Sequence, residues 1–182
     1  GYSLTAMQAT SIFATIANDG VRVEPTVIAG TQDAQGHYTP AKARKSSRVV
    51  SAETAQKMRL MMESVVSAQG TAPSAAITGY RIAGKTGTAQ RVDPITGKYS
   101  GYTASFIGFA PADKPKYVIS VTIQAPQGMH WGGVLGGPVF KEVMSYVLES
   151  KRIPPTNTKV TPLPLDAAGL AKLTSKNNGA KQ

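Results

Sequence analysis

Apolar residues recur at helical spacing in three places along the chain. Ala9, Ile12, Phe13, Ile16 and Ala17 share one face and predict a core-facing helix over 3–17. Thr5 with Gln8 makes a capping-box pattern at its start, and Asn18-Asp19-Gly20 stops it. Met58, Met61, Met62, Val65 and Val66 are the stripe of a second helix. It is entered through Ser51, with Glu53 in the first turn near the positive dipole end. A methionine-rich stripe of this kind reads as adaptable core. Val139, Phe140, Val143, Met144, Val147 and Leu148 predict a third helix starting at Pro138, which suits a first helical turn.

Shorter extended runs lie between these helices. Residues 21–29 alternate around Pro25 and read as an edge segment. Residues 32–36 read as a turn, 38–48 as a basic irregular connection, and 71–79 as a loop of small residues. Three strands are expected, near 80–89, 103–110 and 116–123, the last with Tyr117, Ile119, Val121 and Ile123 on one face. Pro111-Ala112-Asp113-Lys114-Pro115 separates the last two, so that pair must be antiparallel. Asp93-Pro94-Ile95-Thr96-Gly97 is a turn, because Pro presets one dihedral and Gly permits a positive one. Residues 127–137 read as a glycine-rich loop holding His130 and Trp131. The fold class is therefore α/β in the mixed, α+β sense: an antiparallel sheet with helices packed on it.

Composition narrows the chemistry. The 182 residues suit one domain, and the absence of cysteine excludes disulfides and thiolate metal sites. His37 and His130 are the only histidines and do not make a zinc set, so neither metal nor cofactor is expected. No apolar run has the length of a membrane span. The chain starts at Gly1 without a signal-like segment and is expected to be a piece of a longer protein. The net charge is +10, and half of it falls at the end. There Lys151, Arg152, Lys159, Lys172, Lys176 and Lys181 face Asp166 alone. We read 1–150 as the folded unit and 151–182 as a flexible, solvated, basic extension. No aromatic residue interleaves those charges, so no nucleic-acid partner is expected.

The chemistry-bearing stretch is Gly79-Tyr80-Arg81-Ile82-Ala83-Gly84-Lys85-Thr86-Gly87-Thr88-Ala89-Gln90. A strand here runs into a small polar segment with one ammonium and two hydroxyls, flanked by glycines that let a ligand approach the backbone. Alternation puts Thr86 and Thr88 on one side and Lys85 on the other. Two motifs overlap. One is K-T-G, the third active-site box of serine acyl-transferases of the penicillin-binding and class A β-lactamase type. The other is G-x-x-x-x-G-K-T, a Walker A pattern spanning Gly79 to Thr86. A phosphate loop needs flexible residues before a helix, whereas Tyr80, Arg81, Ile82 and Ala83 read as strand and Gly87-Thr88 opens no apolar-periodic helix. The alternatives to the acyl-transferase are thus a nucleotide-binding protein and a non-enzymatic peptide-binding module using the strand edge.

Context favours the acyl-transferase. The chain resembles the C-terminal half of the transpeptidase domain of class B penicillin-binding proteins, most closely the septal type. The resemblance is carried by Gly1-Tyr2-Ser3-Leu4-Thr5-Ala6-Met7-Gln8, Ile16-Ala17-Asn18-Asp19-Gly20 and Ile82 through Gln90. Thr103-Ala104-Ser105-Phe106-Ile107-Gly108-Phe109-Ala110-Pro111 and Gly137-Pro138-Val139-Phe140 continue it. It implies a D,D-transpeptidase that cross-links peptidoglycan stem peptides through a serine acyl-enzyme and is acylated by β-lactam antibiotics. It also implies, as partners, the N-terminal half of the same domain and divisome membrane proteins, at the extracytoplasmic face of the bacterial cell membrane.

The family's S-x-x-K box, which supplies the nucleophile, is not in this chain. Ser175-Lys176-Asn177 matches the S-x-N box but follows K-T-G, where the family has it before, and reads as coincidence. Carried over to the matching box, Lys85 assists proton transfer and attracts the substrate carboxylate. Thr86 hydrogen-bonds that carboxylate with help from Thr88, whose backbone N–H also serves the oxyanion hole. Gly87 lets the acyl group lie against the strand. His130 and Trp131 either shape the leaving side of the cleft or are ordinary loop residues.

Overall fold

The computed structural model describes residues 3–156. Helix α1 (Ala6–Ala17) carries the capping box: the Gln8 amide donates to Thr5 Oγ1 at 3.1 Å, and the Thr5 amide donates to Gln8 Oε1 at 2.9 Å. Strands β1 (Val21–Val23), β2 (Gly30–Gln32), β3 (Tyr38–Pro40) and β4 (Ser46–Arg48) follow. They form two small antiparallel pairs, β1 with β4 and β2 with β3. Helix α2 (Ala52–Glu63) is capped by Ser51, whose hydroxyl accepts from the Thr54 amide at 3.0 Å. Single 3-10 turns at Ser64–Val66 and Pro73–Ala75 lead to the main sheet. That sheet is β5 (Ala83–Val92), β6 (Tyr99–Ala110) and β7 (Tyr117–Gln124), antiparallel throughout and in the order β5-β6-β7. Helix α3 (Gly132–Ser150) closes the described chain.

The sheet is sandwiched between helices. Against one face lies α3, where Phe106 and Phe140 meet edge to face at 4.9 Å and Met144 and Leu148 are buried. Tyr117, Ile119 and Val121 of β7 pack into this cluster, as alternation along the strand requires. On the other face, Phe109, Ala83, Met62 and Ala112 form a smaller core with Phe13, Ile16, Ala17 and Val118, which brings in α1 and α2. The mixed α/β class and the antiparallel sheet are as expected.

Several sequence expectations are corrected. Residues 38–48 are not an irregular connection: they contain β3, which forms a hairpin with β2, and β4, which pairs with the more distant β1. Seven strands occur among the described residues where three were expected. Strand β5 starts at Ala83, not at Tyr80. The glycine-rich stretch is not a loop as far as residue 137, because α3 already begins at Gly132 and Pro138 sits inside it.

The apolar stripes are also narrower than periodicity suggested. Ile12, Met61, Val139 and Val143 are exposed. On α2 the buried face includes Arg59 and Glu63. Arg59 Nη1 donates to Asp19 Oδ1 at 2.6 Å and to the Ile16 carbonyl at 3.4 Å, tying α2 to the end of α1. A buried charge is tolerable when it is paired in this way.

The first residues after α3 are held. Ile153 packs on the main core and its carbonyl accepts from the Tyr80 hydroxyl at 2.6 Å, while the Thr156 amide donates to the Gly79 carbonyl at 2.7 Å. The rest of the expected basic extension, with Ser175-Lys176-Asn177, lies outside the described residues.

Candidate active site at the sheet edge

Strand β5 brings the box together. It pairs only with β6 among the described residues, with Lys85 opposite Ile107, Thr86 opposite Phe106, Gly87 opposite Ser105 and Thr88 opposite Ala104. Its outer edge is therefore open along the box. The first residues, Ala83 and Gly84, are buried and anchor the strand, and exposure begins at Lys85. The ammonium of Lys85 returns to its neighbour, donating to the Thr86 carbonyl at 2.9 Å and reaching Thr86 Oγ1 at 3.4 Å. Lys85 and Thr86 thus share one polar locus even though alternation starts their side chains on opposite sides.

Thr86 and Thr88 face the start of α3. The Thr86 methyl packs by Gly133, and the Gly132 amide donates to Thr88 Oγ1 at 3.3 Å. The N-cap residue of α3, Trp131, supplies no side-chain cap, so the Thr88 hydroxyl satisfies one of the free amides of the first turn. The helix can approach this closely because its first residues lack side chains. A Cβ on Gly132 would run into the Ser105 and Gly87 carbonyls, and one on Gly133 into the Thr71 carbonyl. The segment preceding β5 also closes on the site. Thr71 Oγ1 lies 3.2 Å from Thr86 Oγ1, and Ser74 Oγ donates to the Gly133 carbonyl at 3.0 Å.

At the approach to β5, Arg81 forms a part-buried ion pair with the buried Glu63. Arg81 donates to Glu63 in a two-pronged pair, Nε to Oε2 at 2.9 Å and Nη2 to Oε1 at 2.6 Å. The hydrogen bond to Glu63 holds the Arg81 guanidinium above its ordinary value against the opposing effect of burial, with the charges of Glu63 and Asp113 adding to it. Beside the box, Tyr102 of β6 stacks on His130 at 4.1 Å, and His130 leans on Trp131 at 5.1 Å. His130 thus packs on β6, and Trp131 packs on His130 while staying exposed.

The Walker A reading is overturned by this geometry. Gly84, Lys85 and Thr86 lie inside an antiparallel strand, and no helix follows Thr86. Successive amides cannot wrap a phosphate there. Sequence reasoning missed Thr71, Gly132 and Gly133. The available signal was a run of small residues at Gly132, Gly133, Gly136 and Gly137, spaced to line one helix face beside the apolar stripe.

Comparison with known proteins agrees with the fold. Residues 1–145 match the model of the penicillin binding protein transpeptidase domain. The chain is 42% identical over 177 residues to penicillin-binding protein PbpB of Mycolicibacterium smegmatis, covering 92% of this chain and 27% of that protein. It is 44% identical over 119 residues to the probable peptidoglycan D,D-transpeptidase PenA of Neisseria flavescens, covering 64% of this chain and 29% of PenA. The crystal structure of penicillin binding protein 3 from Mycobacterium tuberculosis, complexed with ampicillin, superposes with a TM-score of 0.82 at 38% identity, over 92% of this chain and 39% of that one. The chain belongs to the penicillin-binding protein transpeptidase family. It spans about a quarter of the length of the curated relatives it matches.

Proposed function

We propose that this chain is part of a septal-type, class B penicillin-binding protein, a serine-type peptidoglycan D,D-transpeptidase. The whole protein transfers the acyl group of a D-alanyl-D-alanine stem peptide first to a serine and then to an amine. The serine belongs to an S-x-x-K box outside these 182 residues, and this segment supplies the wall that receives the donor peptide. The protein works at the extracytoplasmic face of the cell membrane, with the rest of the domain and divisome membrane proteins as partners. β-Lactams acylate the same serine.

The observation that carries this reading is the open edge of β5, where Lys85 and Thr86 share one polar locus and Thr86 and Thr88 face the start of α3. An extended peptide can lie along such an edge. Lys85 and Thr86 form one cationic, hydroxyl-bearing locus for its terminal carboxylate, and Lys85 serves proton transfer. Gly87 leaves room for the acyl group. The Thr88 amide serves the oxyanion, a contribution of about 3 kcal/mol in comparable sites. The ammonium and hydroxyls favour the developing and resident anions without a metal or cofactor.

The test is covalent labelling of the full-length protein with a fluorescent penicillin. We expect one adduct per molecule, blocked by unlabelled penicillin and slowed by a D-alanyl-D-alanine stem peptide. Peptide affinity without any adduct would leave the box a non-enzymatic peptide-binding edge and overturn the transpeptidase reading.

A further inference from the structure

Among the described residues, Thr71 is the one outside the Lys85–Thr88 box whose side chain meets the Thr86 hydroxyl. Its Oγ1 stands 3.2 Å from Thr86 Oγ1. We propose that Thr71 is a positioning residue for the carboxylate site, aiming the Thr86 hydroxyl at the substrate anion. The inference rests on reading Thr86 as a ligand of that carboxylate.

The argument is one of hydrogen-bond inventory. A threonine hydroxyl has one proton to give and two lone pairs to fill. To bind a carboxylate, Thr86 must spend its proton on the anion. Lys85 Nζ can only donate, and at 3.4 Å it occupies one side of Thr86 Oγ1. Thr71 can fill the other lone pair by donating its own proton. With both lone pairs engaged, the Thr86 O–H has the incoming anion as its remaining direction. Without Thr71 the hydroxyl rotor is free to turn, and binding must first order it.

The backbone at 71 is built to hold that donor still. Ala72 is fully buried, and its amide donates to the Val65 carbonyl at 2.9 Å. The Thr71 carbonyl lies against Gly133 so closely that no side chain fits between them. The side chain itself is exposed, so it contributes no core packing that would explain its place. Packing clamps the main chain while the hydroxyl stays at the open site.

The experiment uses the full-length protein and the second-order acylation rate by a penicillin, with the penicillin methyl ester as the anion-free probe. Thr71→Val should slow acylation by the free acid about threefold to tenfold, the worth of one neutral hydrogen bond. Thr71→Ser should restore the rate. Thr71→Val should leave the ester's rate unchanged and add no loss in a Thr86→Val background. Thr71→Ala, measured in parallel with thermal midpoints, gives the same reading should valine disturb the fold. A wild-type rate in Thr71→Val and Thr71→Ala, an equal loss with the ester, failure of serine to rescue, or additive loss with Thr86→Val would each overturn the proposal. If Thr86→Val itself reacts at the wild-type rate, the carboxylate reading of Thr86 fails, and Thr71 falls with it. A slow Thr86→Val beside an unaffected Thr71→Val defeats the Thr71 proposal alone.

Discussion

The amide of Gly132 donates to the Thr88 hydroxyl at 3.3 Å, so helix α3 is capped by a residue of the strand it packs on. Helix start and box are one construction, and a side chain at 132 should disturb both. Gly132→Ala places a methyl against the Ser105 and Gly87 carbonyls. Overpacking of this kind costs about 1–3 kcal/mol. The thermal midpoint should fall, and β-lactam acylation of the full-length protein should slow with it. Val134→Ala, two residues on and exposed, should change neither measurement.

Thr86 and Lys85 are separated from a purely structural role by two conservative changes. Thr86→Val keeps the β-branched shape and removes the hydroxyl. A charge-assisted hydrogen bond contributes about 1.5–3 kcal/mol, so the acylation rate should fall roughly tenfold to a hundredfold. Lys85→Met should cost more, because both the charge and the proton-handling group go. Thermal midpoints should hold in both variants. Stopped-flow acylation decides it, and wild-type rates in both would remove this box as the carboxylate site.

Glu63 should matter for stability more than any exposed charge. Its side chain is 2% exposed and its partner Arg81 is 14% exposed. Glu63→Gln leaves a guanidinium in a site built for a pair. Breaking a buried pair costs about 3–5 kcal/mol, and the nearby Asp113 should keep the loss toward the low end. Denaturant unfolding of the full-length protein measures it. A midpoint unchanged from wild type would show that the pair contributes nothing net.

Acid should loosen the β5–β6 turn before it touches the core. Asp93 Oδ1 accepts from the Thr96 amide at 2.9 Å and the Ile95 amide at 2.8 Å. These bonds, that to Thr96 first, hold the Asp93 carboxyl below its ordinary range. The sign follows: the contribution is complete above the ordinary aspartate value and is lost as pH falls through the lowered folded value. Amide hydrogen exchange at Ile95 and Thr96, corrected for intrinsic rates, should rise over that acid window. Asp93→Asn should abolish the dependence.

Legibility in the sequence followed the range of the interaction. The caps at Thr5 and Ser51, the Asp93–Gly97 turn and the antiparallel pair around residues 111–115 are local, and each was read from neighbouring residue types. The Lys85-Thr86-Gly87-Thr88 motif was also legible as a motif, because it lies within four consecutive residues. What the sequence left undecided depends on pairing and packing partners that leave little pattern in the residues themselves. Strands β1 to β4 are three residues each and exist through pairing, which leaves little periodicity to read. Arg59 and Glu63 are buried because Asp19 and Arg81 meet them there, while Ile12 and Met61 stay exposed. The glycines at 132 and 133 read as a loop because their lack of side chains is ambiguous until a strand and a carbonyl are seen to fill the space. The residue types of the site were set by the sequence. Tertiary packing alone put Thr71, Thr86, Thr88 and the start of α3 within hydrogen-bonding reach, since contacts over separations of 15 and 44 residues leave no local trace.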